Sequence, residues 1–345
     1  LRRLRKGKTT MSITKKPFGK APCGREAELY VLTNASGASV EISNYGGILR
    51  AVNVPDRNGK IGSVTLGYSS VEGYTPLNGY IGALIGRVGN RIANGECTVS
   101  GQKLTLAKNE NGITHLHGGD VGFDRRFWDA TPVEGICEDS LILKYVSPDG
   151  EEGYPGTLRV MVTYTFTDDN ELLIHYEAVS DRDTLCNLTN HSYFNLEGEG
   201  AGPVTDHVFE FNCDTFTVVD EKCIPTGEQR DVTGTPFDLR QPTRLADGLA
   251  QEETDEQLRF GKGFDHNFNI NDPEAGLRFA VHVEAPVSGR TMDVFTDMPA
   301  VQFCNLLNQR QAQTSTFPAP GTIGLVKAVK NMGKIFFFDA ASIVF

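Results

Sequence analysis

The chain has 345 residues, which is long enough for one large β domain or for two domains of ordinary size. Its content of 39% hydrophobic and 22% charged residues is typical of a globular protein. A formal net charge of −11 disfavours nucleic acid and anionic membranes as partners, and no apolar run approaches the ~20 residues that span a bilayer. A neutral small molecule is therefore the expected partner.

The chain starts with five basic residues before Met11: Arg2, Arg3, Arg5, Lys6 and Lys8. We expect residues 1–20 to be a disordered or extraneous basic stub, because no apolar stretch follows the basic residues as it would in a secretory signal. Seven scattered cysteines without a Cys-x-x-Cys pair predict reduced thiols and a cytoplasmic location.

From residue 21 onward, short segments rich in β-branched and aromatic residues alternate with turn signals. These predicted strands are 39–42, 63–66, 97–99, 141–146, 159–166, 172–178, 207–211, 277–284, 291–296 and 300–303. Residues 158–167 and 171–180 predict a β-hairpin across a polar turn. Short helices are predicted only at 69–74 and 245–258. Without an internal repeat or a linker, the pattern predicts one all-β domain, a sandwich or barrel, over residues 21–304.

Two of the seven histidines lie in unusual settings. His117 precedes paired glycines, which let backbone approach a ligand closely, and His191 lies in a polar and aromatic segment. Each histidine taken alone is more often structural than functional. His115 and His117 could face one side of a strand as zinc ligands, but no neighbouring Cys, Asp or Glu cluster supports a metal site.

Asn90 and Arg91 follow the glycine-rich segment 85–89. This segment lacks the Gly-Lys-Ser/Thr ending of a phosphate-binding loop, and the sequence leaves open whether Arg87 and Arg91 bind a ligand or form internal ion pairs. Asp265 lies between aromatic residues, where a carboxylate either caps a turn or accepts hydrogen bonds from ligand hydroxyls.

Six motifs in order resemble the aldose 1-epimerase (galactose mutarotase) family. They are NYGGIL (44–49), GRVGNRIANG (86–95), THLHGG (114–119), GFDRRFWDA (122–130), TNHSYFNL (189–196) and FDHNF (264–268). The resemblance implies a large β-sandwich with a sugar-binding cleft on one concave sheet, and neither a cofactor nor a metal.

The same resemblance implies roles for five residues. His191 matches the general acid that protonates the ring oxygen, and His117 matches the second active-site histidine. Asn90, Arg91 and Asp265 match residues that bind sugar hydroxyls. Trp128, the only tryptophan, is expected to pack in the interior rather than stack on sugar. The implied activity is interconversion of the α and β anomers of free hexoses such as D-galactose and D-glucose, by acid and base catalysis of ring opening and closure.

The family's base is a glutamate that follows the strand matching residues 299–303, but the last glutamate of this chain is Glu284. We therefore expect the likeness to stop near residue 304 and residues 305–345 to form an atypical C-terminal segment. Loss of a general base typically costs about 10²–10⁴ in rate. Three explanations stay open: a truncated or misread C-terminal end, a sugar-binding relative without turnover, or another carboxylate such as Asp339 in the role. An epimerase for phosphorylated sugars is disfavoured because it would need more arginines around the cleft. The sequence does not decide between a monomer and a dimer.

Overall fold

The computed structural model describes residues 12–76, 79–136 and 138–304. Within these ranges the chain is built mainly from strands. In the first part they are β1 (Ser12–Lys20), β2 (Glu26–Thr33), β3 (Ser39–Ser43), β4 (Leu49–Pro55), β5 (Ile61–Ser63), β6 (Leu84–Ile85), β7 (Arg91–Ile92), β8 (Glu96–Val99), β9 (Gln102–Thr105) and β10 (His115–Leu116).

The strands continue after a loop that contains Trp128. They are β11 (Asp129–Glu134), β12 (Glu138–Ser147), β13 (Leu158–Thr167), β14 (Leu172–Ser180), β15 (Thr189–Asn190), β16 (Val208–Phe211), β17 (Cys213–Val219), β18 (Pro225–Asp231), β19 (Thr243–Arg244), β20 (Asp265–Ile270), β21 (Arg278–Glu284), β22 (Thr291–Thr296) and β23 (Ala300–Cys304). Short 3₁₀ turns lie at Val71–Tyr74, Ala93–Gly95, Phe123–Arg125, Glu151–Gly153 and Pro273–Ala275.

Four larger antiparallel sheets form the body of the described chain. Their strand orders are β1-β2-β3-β4-β5, β11-β12-β13-β14, β19-β16-β21-β22 and β18-β17-β20-β23. Two-stranded sheets β10-β7, β15-β6 and β8-β9 lie between them in sequence. The prediction of an all-β fold is confirmed.

The hairpin of β13 and β14 shows how the sequence pattern produces these sheets. Alternate residues of β13 are buried from Leu158 onward, as expected for a strand with one face against a core. Its pairing with β14 runs from Leu158 opposite Ser180 to Phe166 opposite Leu172. The polar turn predicted at 168–170 closes the hairpin, with Asn170 at φ +64°.

One continuous apolar core joins the four larger sheets. Aromatic rings fill much of it: Phe216 and Phe237 stack at 4.1 Å between ring centroids, and Phe211 lies 4.6 Å from Phe268. Contributions reach from Tyr30 on β2 to Phe303 on β23. Because the core extends over the whole described chain, strands that are distant in sequence are held at fixed positions around the site.

Two predicted boundaries differ from the structure. Residues 12–20, which were expected in the N-terminal stub, form β1, paired with β2 from Ser12 opposite Thr33 to Lys20 opposite Glu26. The predicted helix 245–258 is two helices, α1 (Leu245–Leu249) and α2 (Glu256–Gly261). The break has a local cause: Asp255 adopts an extended conformation and its carboxylate accepts hydrogen bonds from the backbone N–H groups of Gln257 and Leu258, so it begins a new helix. Residues 1–11 and the expected C-terminal segment 305–345 lie outside the described residues.

The six cysteines in the described ranges are free thiols, and Cys137 lies outside those ranges. None of the helices found there is long and apolar enough to cross a membrane.

Candidate active site

Arg91 is fixed by a carboxylate from the loop before β10. Its Nε and Nη2 atoms each donate to Glu110, at 2.8 Å, and the hydroxyl of Thr114 donates to the same carboxylate at 2.5 Å. This two-point contact orients the planar guanidinium. The remaining nitrogen, Nη1, lies 3.9 Å from the carboxylate of Asp265. Glu110 therefore leaves the second N–H group of Nη2 and both N–H groups of Nη1 unused.

Asp265 and Gln302 lie on neighbouring strands, β20 and β23. The Gln302 side-chain amide donates to Asp265 at 2.8 Å, and its carbonyl oxygen accepts from the Asn90 side chain at 3.3 Å. Burial raises the pKa of the Asp265 carboxyl, and the nearby Arg91 partly opposes the rise. Asn90, Gln302, Asp265 and Arg91 thus form one connected polar cluster.

His117 is joined to the same cluster through the backbone. The Asn90 N–H donates to Nδ1 of His117 at 3.0 Å, which places the ring proton on Nε2 when the imidazole is neutral. The residue adopts a left-handed conformation, with φ +51°. The following Gly118 permits this path, because a Cβ there would lie 1.8 Å from the carbonyl oxygen of Gly86.

His191 lies beside His117, at 5.0 Å between ring centroids, with the planes nearly perpendicular. It follows β15, which pairs with β6. Its backbone N–H donates to Ala83 at 2.8 Å and its carbonyl accepts from Gly82 at 2.9 Å. The Nδ1 atom is buried without a hydrogen-bond partner in the described part of the chain. Two backbone hydrogen bonds to residues 82 and 83 therefore hold His191 in place.

Burial keeps both imidazoles neutral at pH 7 in the unliganded protein. It lowers the pKa of His191 to about 3. It also lowers the pKa of His117 well below the ordinary value, with the neighbouring His191 and Arg91 acting in the same direction. The general-acid role expected for His191 calls for a protonated imidazole, and the unliganded site differs from that expectation.

The site is more open on its charged side than at the imidazoles. His117 and His191 are 9% and 5% exposed, whereas the side chains of Arg91 and Asp265 are 16% and 22% exposed. The two imidazoles are thus more deeply buried than the charged groups beside them. The structure thus brings together all five residues predicted for the site: Asn90, Arg91, His117, His191 and Asp265.

Sequence reasoning did not single out three further residues of this cluster. Gln302 links Asn90 with Asp265, Glu110 orients Arg91, and the ring of Tyr80 lies 4.7 Å from that of His117 and 5.7 Å from that of His191. A buried glutamine in the apolar strand 299–303 was the one available signal, since buried polar side chains need partners.

Other candidates from the sequence have structural roles. Arg87 is buried and donates to the hydroxyls of Ser147 and Thr184 and to nearby carbonyls, rather than forming a ligand site. Trp128 is 1% exposed and packs in the core, as expected. His115 contacts the Ala107 carbonyl with one ring nitrogen, at 2.8 Å, and the Tyr154 hydroxyl with the other, at 2.6 Å. Both of its nitrogens are engaged, and no group of three or more potential metal ligands occurs in ranges 12–76, 79–136 and 138–304.

Comparison with known proteins extends the motif resemblance to most of the chain. The family model described as aldose 1-epimerase matches residues 28–320. The chain belongs to the aldose 1-epimerase family. It is 42% identical to the galactose mutarotase of Bos taurus over 293 residues, covering 85% of this chain and 82% of that protein. It is 35% identical to the aldose 1-epimerase of Escherichia coli (strain K12) over 283 residues, covering 82% and 80%.

The fold agrees with a solved member of the family. The crystal structure of galactose 1-epimerase from Lactobacillus acidophilus NCFM superposes with a TM-score of 0.70 at 28% identity, covering 80% of this chain and 78% of that one. The aldose 1-epimerase match ends at residue 320, which is beyond the limit of about 304 expected from the motifs. This extension adds no glutamate, because the last one in the sequence is Glu284.

Proposed function

We propose that this protein interconverts the α and β anomers of free aldoses such as D-galactose and D-glucose. The observation that carries the proposal is the connected cluster in which Asn90 contacts both His117 and Gln302, and Gln302 in turn contacts Asp265 beside Arg91. Convergent donors and acceptors next to two imidazoles suit a ligand with several hydroxyl groups. The family relatives named above support the same activity.

The reaction assigns a role to each of the five predicted site residues. Anomer exchange opens the hemiacetal by taking a proton from O1 and giving one to the ring oxygen, after which the chain recloses on the other carbonyl face. We assign proton donation at the ring oxygen to His191 and support of the anomeric region to His117. Asn90, Arg91 and Asp265 are assigned to the sugar hydroxyls, so that the distal part of the sugar is held while C1 turns.

The surroundings of Arg91 and Arg87 support an uncharged sugar over a phosphorylated one. Two of the nitrogens of Arg91 are bonded to Glu110, and Arg87 is buried against Ser147 and backbone carbonyls. Phosphate recognition commonly uses arginines with a free two-nitrogen face. The remaining Nη1/Nη2 face of Arg91 lies beside the Asp265 carboxylate, 3.9 Å from Nη1, and that negative charge disfavours a phosphate.

Removal of the O1 proton needs a base, and this requirement separates turnover from binding. Among the residues the structure describes, the carboxylates of the cluster are Glu110 and Asp265, and both are already bonded to other side chains. Binding requires only the cluster, whereas turnover requires a base in addition. Both must be measured.

The test follows anomer exchange of freshly dissolved α-D-galactose by polarimetry, with binding measured by calorimetry on the same preparation. We expect saturable binding and faster decay of optical rotation than in buffer. Binding without acceleration would contradict anomer exchange and leave a sugar-binding protein, and absence of binding would contradict both.

Substitution of His191, the assigned general acid, tests the proposal more specifically. We expect His191→Asn to lower the enzyme-dependent rate by about 10²-fold or more, as removal of a general acid does. His175→Asn, which changes a half-exposed histidine paired with Glu177 on β14, is the matched control and should behave as wild type. Equal rates in wild type and His191→Asn would remove His191 from the role.

We also propose a cytoplasmic location, supported by the free thiols of the described cysteines. Recovery in the soluble cytosolic fraction after cell fractionation would agree with it. Recovery with a membrane or secreted fraction would not.

A further inference from the structure

The ring of Tyr80 contacts the imidazoles of both His117 and His191. It meets His117 edge-on at 4.7 Å and His191 at 5.7 Å between centroids, while Tyr193 lies 5.1 Å from His191 on another side. The imidazoles also contact each other at 5.0 Å. Aromatic pairs at these separations favour particular relative orientations. Among the residues that the structure describes, Tyr80 is the one whose ring contacts both of these histidines.

The backbone at Tyr80 is held in an unfavourable conformation. Tyr80 has φ +60°, a region that bulky side chains seldom occupy. Glycines on either side, Gly79 at φ +78° and Gly82 at φ +70°, allow the turn. Such strain persists only where surrounding contacts impose it, and it is concentrated at functional sites.

Hydrogen bonds from the His191 segment impose this conformation. The Tyr193 hydroxyl donates to the Gly79 carbonyl at 3.0 Å. The Gly82 N–H donates to the carbonyl of His191 at 2.9 Å, and the His191 N–H donates to Ala83 at 2.8 Å. The turn that carries Tyr80 is therefore bonded on both sides to the segment that carries His191, so the ring and the imidazole keep one relative position.

We propose that Tyr80 is a positioning residue: its ring, fixed by this turn, sets the relative orientation of His117 and His191 and shields them from water. The role belongs to the aromatic ring and not to the hydroxyl. Its consequence for turnover rests on the proposed function, but its effect on the two imidazoles does not.

Other titratable groups also act on these imidazoles and must be kept constant. Arg91 lies near His117 and disfavours its charged form, and Tyr193 packs against His191. Asp124 and Glu110 act on Tyr80, whose pKa is raised to about 12 by burial, so its phenol stays neutral throughout the range of a histidine titration. Substitutions at Tyr80 leave all of these groups in place.

The experiment compares Tyr80→Leu with Tyr80→Phe. The imidazole C–H resonances are followed by proton NMR as a function of pH, and anomer exchange is followed by polarimetry. For Tyr80→Leu we expect the pKa values of His117 and His191 to rise toward about 6.5 as water enters. We also expect kcat to fall about tenfold or more because the groups are misplaced, with KM changed by less than about threefold. For Tyr80→Phe we expect wild-type titrations and kcat.

Tyr68→Leu is the matched control, since Tyr68 packs against the same buried cluster around Phe18, Ile48 and Tyr74. It should leave both titrations unchanged. Three results would overturn the inference. They are wild-type titrations in folded Tyr80→Leu, altered titrations in Tyr80→Phe, and an equal shift of the titrations in Tyr68→Leu. Should Tyr80→Leu not fold, Tyr80→Met, which also removes the aromatic ring, takes its place. It must then shift the titrations in the same direction. An inactive wild type would count against the proposed function alone, since the titrations need no turnover.

Discussion

At the scale of single residues, the site depends on side chains held by other side chains. Glu110 engages two nitrogens of Arg91 and leaves the third toward Asp265. Such a fork with charged partners is stronger than a neutral hydrogen bond and fixes orientation as well as distance. The affinity for sugar should therefore depend on Glu110, whose carboxylate is bonded to Arg91 and Thr114.

Glu110→Gln tests this dependence. We expect the dissociation constant for D-galactose to rise about tenfold, because a neutral amide holds the guanidinium less firmly. Asp247→Asn is the control, since it disrupts a comparable contact of Arg244 on an exposed surface, with Nη2–Oδ1 at 2.7 Å. Calorimetric titration measures both. An unchanged affinity in Glu110→Gln would contradict the positioning role.

His207 links a buried residue to the pH dependence of stability. It is 1% exposed, and burial lowers its pKa to about 4. The unfolded chain binds a proton there below about pH 6.5, whereas the folded protein binds it only near pH 4. Its stabilising contribution is thus present above pH 6.5 and is lost as the pH falls toward 4.

The variant His207→Gln isolates this effect. From pH 7.5 to pH 5, the wild type should lose about 2 kcal/mol of unfolding free energy through His207. The variant should lose that much less over the same interval, whatever its stability at pH 7.5. Denaturant unfolding at the two pH values measures the difference, and equal losses in both proteins would contradict the assignment.

At the scale of elements, the two-residue strands β6 and β15 position part of the site. They join Leu84 to Asn190 and Ile85 to Thr189, which places the 79–83 turn against His191. Gly82 lies at the centre of this arrangement. Its N–H donates to His191 and its carbonyl accepts from Leu49, at 2.9 and 2.8 Å.

Comparison of Gly82→Ala with Gly59→Ala separates the steric effect of an added Cβ from the effect of the backbone conformation on stability. Both glycines have positive φ, +70° and +78°, so alanine should cost about 1–2 kcal/mol at either position. At Gly82 a Cβ would also lie 2.5 Å from the Leu49 carbonyl oxygen, whereas at Gly59 nothing lies within 4 Å. We expect Gly82→Ala to be clearly less stable than Gly59→Ala in denaturant unfolding, and to bind galactose more weakly. Equal losses of stability would contradict the contact.

At the scale of the whole molecule, the site gathers residues from sheets that share one core. Arg91 belongs to the β10-β7 sheet, His191 follows the β15-β6 sheet, and Asp265 and Gln302 lie in the β18-β17-β20-β23 sheet. A ligand that contacts all of them joins parts of the fold that are distant in sequence. Sugar binding should therefore stabilise the molecule as a unit.

This expectation can be measured by thermal unfolding. At a D-galactose concentration of about one hundred times the dissociation constant, binding adds about 2.7 kcal/mol to the unfolding free energy. The midpoint should rise in a single transition. Galactitol, which has no ring, should give no comparable shift, and neither should galactose with Arg91→Ala. A shift confined to part of the unfolding curve would show that the site is not coupled to the whole fold.

Local pattern was enough to predict much of this protein. Alternation predicted the β13–β14 hairpin, and six ordered motifs predicted the family and five residues that do come together. The two boundary errors have physical causes. Residues 12–20 pair with β2, a contact that becomes visible only when the partner strand is placed. Asp255 divides the predicted helix through a side-chain hydrogen bond that competes with helix continuation.

The sequence by itself determined the strand pattern, the family and the identity of the polar groups available to a sugar, because these follow from residue type and order along the chain. Only the tertiary structure decided that Gln302 joins Asn90 to Asp265, that Glu110 occupies Arg91, and that Tyr80 touches both histidines. It also decided that both imidazoles are neutral at pH 7. The physical reason is that burial and contacts between residues 19 to 212 positions apart arise when sheets pack, and no local pattern encodes them.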